Sequence, residues 1–456
     1  MNEMTADYHR AFKDADIRGI YPKEIDEEVA YFIARAFVDE LGAKKVLVAR
    51  DMRLSSPVLY EAFVRGVNDA GASVIDLGLV HTPLMYFASG TLKLPGVMIT
   101  ASHSPRQYNG FKLVYPEAIP LTEKHGLARI RHRVDKGIYN EPKKRGTVIY
   151  KDVRPEYQKF IFKTFKPERW QGIHLAVDVG NGMGSVMMPI LQAKAPITCD
   201  CQFMELDGTF PNRGSDPTLL KNQMPLRRTL KALPYDFGVA FDGDGDRVAF
   251  LDEGGKYINS AIIGALISER LLRKRPLSKI VYTNLTSRIF EESIRAAKGK
   301  PVIARVGHAF IKEVMRKKEA LFGAEHSGHF YYQDYFYTDS VSLTLLHVLD
   351  AYAEAKGKSF SQMISSYQKY HQTEDVIVEV SDPVLAMRAT ETYIESLHPK
   401  TTTHFDGVAV DFGDVWGSVK ISVTEYALKM MFESTHKSTA EEMQRKVVKF
   451  VQSRSD

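Results

Sequence analysis

Three carboxylates, Asp242, Asp244 and Asp246, stand at alternate positions in Gly238-Val-Ala-Phe-Asp-Gly-Asp-Gly-Asp-Arg-Val-Ala-Phe-Leu251. Gly243 and Gly245 separate them and Arg247 follows. Carboxylates this close repel one another, and the glycines leave the turn without stiffening side chains. A divalent cation offsets both costs. Oxygen ligands from alternate residues can face one point, which suits Mg²⁺ or Ca²⁺ rather than Zn²⁺. Mg²⁺ usually takes a few protein carboxylates and leaves positions for phosphate oxygens, so this stretch points to phosphate chemistry.

Two other readings of the acidic stretch are weaker. The Asp-x-Asp-x-Asp start with Glu253 at the twelfth position matches part of an EF-hand calcium loop, which would make this a Ca²⁺-binding structural protein. That loop needs glycine at its sixth position, where Arg247 stands, and helices on both sides, whereas Val239–Phe241 and Val248–Leu251 read as strands. A merely solvated acidic turn fits poorly with the apolar flanks.

Two further stretches carry polar side chains suited to chemistry. In Thr100-Ala-Ser-His-Ser-Pro-Arg-Gln-Tyr-Asn-Gly-Phe-Lys112, Ser102 follows a buried strand and precedes a histidine. A lone Ser-His pair is commonly a turn cap. No third triad member and no glycine-flanked nucleophile elbow accompanies it, so a hydrolase is a poor reading. Ser102 reads better as a phosphoryl carrier, with Asn109 and Lys112 fixing charge nearby. In Phe322-Gly-Ala-Glu-His-Ser-Gly-His-Phe330, Glu325, Ser327 and His329 alternate. An extended loop would aim all three to one side, as a hydroxyl-rich ligand such as a sugar requires, although a polar hairpin tip has the same composition.

The elements that must position these loops alternate along the chain. A strand within 12–20 leads to an amphipathic helix from Glu27 to Leu41, closed by Gly42, then a strand at Lys45–Asp51. Ser55-Ser-Pro caps a helix to about Ala70, Ser73–Gly78 is a strand, His81-Thr-Pro opens a helix, and Gly96–Ser102 runs from strand into polar loop. The pattern recurs over 174–241 and again over 259–320, predicting three related α/β domains with mixed, mainly parallel sheets. From about Thr373 short strands and helices at Pro383–Leu397 and Ala440–Gln452 predict a smaller C-terminal α+β domain. The expected boundaries are 1–147, 148–252, 253–368 and 369–456. Ligands of such sheets sit beyond the carboxyl ends of the strands.

Composition is that of an ordinary soluble globular protein, with 44% apolar and 26% charged residues among 456. The net charge of 61 − 56 = +5 is spread along the chain, which tolerates an anionic small substrate and argues against nucleic acid as a partner. Two cysteines, Cys199 and Cys201, are too few for a disulfide framework. The start lacks a secretory pattern, and no run reaches the roughly 18 apolar residues of a membrane span. A cytoplasmic protein without a membrane partner is expected.

Thr-Ala-Ser-His-Ser-Pro, Asp-Gly-Asp-Gly-Asp-Arg and Gly-Ala-Glu-His-Ser-Gly-His occur in that order, one in each α/β repeat. The chain resembles the α-D-phosphohexomutases, the superfamily of phosphomannomutases and phosphoglucomutases, from Asp16-Ile-Arg-Gly through Trp416 to Thr424-Glu425. The resemblance implies a four-domain fold around a central cleft, with Ser102 as the phosphoserine and Asp242, Asp244 and Asp246 holding one Mg²⁺ together with its phosphate. It further implies that Arg247 supports the substrate, that Glu325 and Ser327 hold sugar hydroxyls, and that Arg18, His308 and His329 line the site. Lys112 or a histidine would handle protons, and Lys420, Ser422, Thr424 and Lys429 would bind the substrate phosphate. The reaction implied exchanges hexose 6-phosphate and hexose 1-phosphate through a hexose 1,6-bisphosphate, which also acts as activator, in a monomer or homodimer.

The chain departs from that pattern in places. The family's Arg-x-Ser-Asn-Thr-Glu-Pro-x-x-Arg reads Lys420-Ile-Ser-Val-Thr-Glu-Tyr-Ala-Leu-Lys429, replacing two bidentate guanidiniums by point charges. Ser104, Ala324, Ala15 and Asn284 replace an Asn, a Gly, a Tyr and a Lys common in the family. Mannose and glucose phosphates are the substrates expected, with a phosphoglucosamine mutase and a non-catalytic sugar-phosphate-binding paralogue as alternatives.

Overall fold

Buried strands and amphipathic helices alternate along most of the chain in the computed structural model, which describes residues 6–142, 144–422 and 426–454. They make three α/β domains with mixed sheets and a smaller α+β domain. The described residues of 1–259, 307–322 and 327–363 gather into one compact unit, and those of 260–306, 323–326 and 364–456 into a second. Among the described residues no helix is long and apolar enough to cross a membrane.

The first sheet of the first unit has a parallel core of Gly96–Ile99, Lys45–Arg50, Ser73–Leu79 and Val148–Tyr150. Tyr108–Tyr115 runs antiparallel to Gly96–Ile99, and Ile17–Ile20 antiparallel to Tyr108–Tyr115. The helix Glu27–Leu41 ends at Gly42 with φ +59°, as its sequence predicts, and begins where the Asp26 carboxylate accepts the Val29 amide. It crosses Ser56–Asp69 in direct contact at Gly66, where a Cβ would lie 2.3 Å from the Tyr31 carbonyl. Ser55 does not cap the second helix with its side chain, contrary to expectation; its hydroxyl accepts from Asn109 Nδ2 at 2.8 Å. That contact also overturns the expected role of Asn109, which is turned toward the helix start at Ser55 and Ser56 rather than toward a charge.

A second sheet in this unit places Phe237–Phe241 parallel to His174–Asp178, which is parallel to Thr198–Gln202. Val248–Leu251 returns antiparallel to Phe237–Phe241, so the three acids occupy the turn between two buried strands, as expected. The unit also contains the helices His308–Lys318 and Val341–Glu354 and the antiparallel pair Phe330–Tyr332 and Thr338–Asp339.

In the second unit the helices Ser260–Lys274 and Arg288–Ala296 accompany the parallel pair Lys279–Thr283 and Lys300–Ala304. The C-terminal sheet is antiparallel, in the order His371–Gln372, Ala427–Ser434, Val415–Ile421, Val408–Asp411, Thr401–His404, with Val376–Glu379 also on Ala427–Ser434. Pro383–Glu395 and Lys437–Gln452 pack on it through Met387, Ile394, Val447 and Val451.

His81, at the start of the helix Thr82–Leu92, is fully buried with Nε2 3.1 Å from the Tyr157 hydroxyl. Burial pushes its imidazole down to about 3. In the unfolded chain the same group titrates near 6.5. Between those values the unfolded state binds a proton that the native state does not, so stability falls as pH falls through that window. Between about pH 7.5 and about pH 5, His81 alone should lower the unfolding free energy by roughly 2 kcal/mol, and His81→Gln should show a correspondingly smaller loss in urea titrations. Equal losses in the two proteins would contradict this.

Candidate active site

Ser102 leaves the strand Gly96–Ile99 through a turn in which it adopts φ +51°, a left-handed conformation uncommon for a residue with a side chain. The surroundings hold it there. Its amide donates to Thr100 Oγ1 at 2.9 Å, and Arg53 Nη2 donates to the carbonyls of Ser102 and Ser104, both at 2.7 Å. Arg53 Nη1 reaches the carbonyls of Pro105 and Tyr108 at 2.9 Å. Ser215 donates to the His103 carbonyl at 2.6 Å. The Ser102 side chain is thereby aimed at the acids: its hydroxyl donates to Asp242 Oδ2 at 2.9 Å and lies 3.5 Å from Asp246 Oδ1. The backbones also meet closely, since a Cβ on Gly243 would lie 2.7 Å from the Ser102 carbonyl.

The acids are buried, and Asp242 ties down the turn itself. Asp242 Oδ1 accepts the amides of Asp246 and Arg247 at 3.0 and 3.1 Å. Thr82 donates to Asp244 Oδ2 at 2.5 Å, and its amide donates to the Asp244 carbonyl at 2.9 Å. Asp244 Oδ1 is buried and accepts no hydrogen bond among the described residues. One oxygen from each of the three carboxylates lies within 4.8 Å of the others. An all-oxygen set converging on one point, with an orphaned buried oxygen, fits a hard divalent cation.

Lys112 sits on the strand Tyr108–Tyr115, so the polar loop expected over 100–112 ends earlier than its composition implies. From that strand its ammonium lies 2.8 Å from Asp244 Oδ2 and also contacts Asp246 Oδ2. Burial opposes a charge on Lys112, but Asp244 and Asp246 outweigh it and keep the ammonium well above the usual lysine range. Burial pushes Asp242 well above the carboxylate range, with Asp246 and Asp244 adding to the effect. Asp246 feels the same burial, yet Lys112 and His329 overturn it and hold the acid well below that range. One acid is thus inclined to hold a proton and its neighbour to stay ionised.

Several histidines and arginines surround this cluster. His329 Nε2 lies 3.3 Å from Asp246 Oδ1, and its Nδ1 is 2.9 Å from the Ser327 hydroxyl. The segment around them is not extended, as the alternation of polar residues suggests, but turns at Gly328 with φ +90°. Arg18 donates to Ser104 Oγ at 3.2 Å and to Asp16 Oδ2 at 2.5 Å, which sets it on the serine loop. His308 opens the helix His308–Lys318 with both ring nitrogens shielded and without a hydrogen-bond partner among the described residues. Burial, with Lys312 adding to it, pushes His308 well below its ordinary value. His103 Nδ1 lies 3.3 Å from Ser102 Oγ, and burial followed by Arg247 depresses it in the same way.

Glu325, Lys420, Ser422 and Lys429 belong to the second unit, and Thr424 lies outside the described residues. Glu325 is buried. Lys420 and Lys429 stand directly opposite each other on Val415–Ile421 and Ala427–Ser434. Each is matched with an acid: Lys420 Nζ with Asp406 Oδ2 at 2.7 Å, Lys429 Nζ with Asp375 Oδ2 at 2.5 Å. Asn284 Nδ2 donates to the carbonyls of Phe405 and Asp406 beside that first pair. Ser422 directly follows the strand Val415–Ile421, its amide donating to the Ala427 carbonyl. Arg53, Thr82 and Ser215 are the residues that the sequence motifs did not single out, and His103 entered only as the neighbour of Ser102. The charged run Arg50-Asp-Met-Arg53 closing a buried strand was the available signal for the first.

The chain matches three family descriptions in succession: phosphoglucomutase/phosphomannomutase α/β/α domain I over residues 9–141, domain II over 155–255 and domain III over 259–370. It is 32% identical over 428 residues to phosphohexose mutases of Xanthomonas campestris, covering 93% of this chain and 95% of the relative. It is likewise 32% identical over 438 residues to a phosphomannomutase of Methanocaldococcus jannaschii, covering 94% and 95%. A crystal structure of a phosphoglucomutase/phosphomannomutase family protein from Burkholderia thailandensis superposes with a TM-score of 0.89 at 27% identity, covering 98% of both chains. The motifs, the acidic turn beneath Ser102 and these matches agree: the chain belongs to the phosphoglucomutase/phosphomannomutase family of phosphohexomutases.

Proposed function

We propose that this phosphohexomutase interconverts the 6-phosphate and 1-phosphate of mannose, glucose or both, with Ser102 as the phosphoryl carrier. The observation that carries the reading is the Ser102 hydroxyl 2.9 Å from Asp242 Oδ2 in a buried cluster of three acids. In the phosphorylated enzyme, transfer breaks the Oγ–P bond of Ser102 and forms an O–P bond to the free hydroxyl of the sugar monophosphate. The hexose 1,6-bisphosphate then returns its other phosphate to Ser102. A bisphosphate supplied from solution would recharge a dephosphorylated chain. Four segments, 1–147, 148–252, 253–368 and 369–456, would supply the serine loop, the acid turn, the sugar loop and the phosphate clamp.

The side chains divide the work. Lys112, held as an ammonium by its two acids, neutralises charge and does not take protons in this state. His103, kept neutral by burial and 3.3 Å from Ser102 Oγ, is placed to accept the serine proton when the bare hydroxyl attacks. His329, bridged to Ser327 and Asp246, is placed to exchange a proton with the sugar hydroxyl. Arg247 and Arg18 would flank the transferring group, and His308 would offer the substrate two ring nitrogens that have no hydrogen-bond partner among the described residues. Asp242, Asp244 and Asp246 would hold one Mg²⁺ with a phosphate oxygen, which supplies charge neutralisation for an in-line phosphoryl transfer. Glu325 and Ser327 would read sugar hydroxyls, and Lys420, Ser422, Thr424 and Lys429 would hold the phosphate that is not reacting.

Coupled assays with mannose 1-phosphate, glucose 1-phosphate and glucosamine 1-phosphate should show turnover of the first two well above the third, whereas preference for the amino sugar would make this a phosphoglucosamine mutase. Ser102→Ala should lose more than about a thousandfold in kcat while its urea midpoint stays near that of the parent. Near-normal turnover by this variant would remove Ser102 from the mechanism. Mg²⁺ should raise the unfolding temperature of the unmodified chain and leave Asp244→Asn almost unmoved; equal shifts would place the cation elsewhere.

A further inference from the structure

Asp375 stands one residue before the strand Val376–Glu379, whose register on Ala427–Ser434 sets Ile377 opposite Lys429. Two positions from Ile377, it shares that face and meets Lys429 diagonally, its Oδ2 2.5 Å from Nζ. The same oxygen lies 3.4 Å from His326 Nε2. His326 directly follows Glu325, and its Nδ1 is shielded without a hydrogen-bond partner among the described residues. One carboxylate oxygen therefore touches both the loop that carries Glu325 and a lysine of the phosphate clamp. The strand pairing makes an acid necessary here. Lys429 faces Lys420 directly, an arrangement that repels, and Asp375 and Asp406 each take one of the two charges.

We propose that Asp375 is a positioning residue that fixes the spacing between the sugar-reading loop and the phosphate clamp by holding His326 and Lys429 on one oxygen. The inference rests on the reading of Glu325 and Lys429 given above. A guanidinium is planar and orients itself on a phosphate through two parallel hydrogen bonds, whereas an ammonium is a point charge on a flexible stem. Where this chain carries Lys429, Asp375 supplies the orientation that the side chain lacks. Asp375 also cancels part of the clamp's positive charge. The gain from a defined distance between phosphate and sugar hydroxyls outweighs that loss of attraction. Positions of His326 and Lys429 thus become coupled, and with them recognition of the two ends of the substrate.

The test uses the full chain. Amide hydrogen exchange read by mass spectrometry should quicken in Asp375→Asn both around 323–326 and around 427–431, while Lys429→Met should quicken only the latter. Asp375→Asn should raise KM for mannose 1-phosphate by about tenfold, as loss of one charge-assisted hydrogen bond gives, with kcat changed less than about threefold. Asp375→Glu should recover part of both effects. Unchanged exchange at 323–326 in Asp375→Asn, or an unchanged KM in the active variant, overturns the proposal. A parent chain without mutase turnover would instead overturn the reading of the site, and the exchange result would still decide whether Asp375 ties the two segments.

Discussion

Three carboxylates within 4.8 Å of one another, all buried, make up the constraint to which the first unit is built. Removing even one such charge from water is costly, and three adjacent ones are tolerated only if positive charge and hydrogen-bond donors meet them. The fold provides these from separate strands and helices. Lys112 comes from an antiparallel strand of the first sheet, Thr82 from a helix start, and backbone amides from the acid turn itself. Each brings a distant stretch of chain to the same point. Among the described residues the arrangement leaves Asp244 Oδ1 without a hydrogen bond, as a ligand site for a hard cation would.

Ser102 is organised by the same logic of fixed donors. Arg53 Nη1 and Nη2 donate to four carbonyls of the serine loop, an arrangement available to a planar five-donor fork and not to a lysine. It is itself buried against Asp51, so the loop is pinned by a charge that is compensated from below. The cost of holding Ser102 at φ +51° is met by these bonds, which is how a strained residue persists in a stable fold. The C-terminal sheet handles its own charges differently. Lysines opposed across two strands are kept in place by one acid each, so their positions are set by ion pairs rather than by guanidinium forks.

Much of this was legible in the sequence because short-range spacing determines it. Helix Glu27–Leu41 follows from an apolar period and Gly42, and the acid turn from glycines between two apolar runs. Longer-range effects were not legible. Val341–Glu354 is apolar on nearly every face because it is buried all round, so it lacks the stripe by which a surface helix is recognised. Leu220–Ala232 carries Pro225 inside it and reads as a broken segment. Ala427–Ser434 is hidden behind a motif that reads as loop, although Lys429 alternates on it with buried Leu428 and Met430. Asn109 and Arg53 show the same limit at single residues: their partners are set by tertiary contact, which spacing along the chain does not encode.

The account stands on Ser102 carrying a phosphoryl group beside the acid turn. Incubating the full chain with glucose 1,6-bisphosphate and Mg²⁺, then measuring intact mass and mapping peptides, tests this most directly. The account predicts a single phosphate, located on Ser102. A chain that turns over hexose phosphate while remaining unphosphorylated, or that carries its phosphate on another residue, would contradict it.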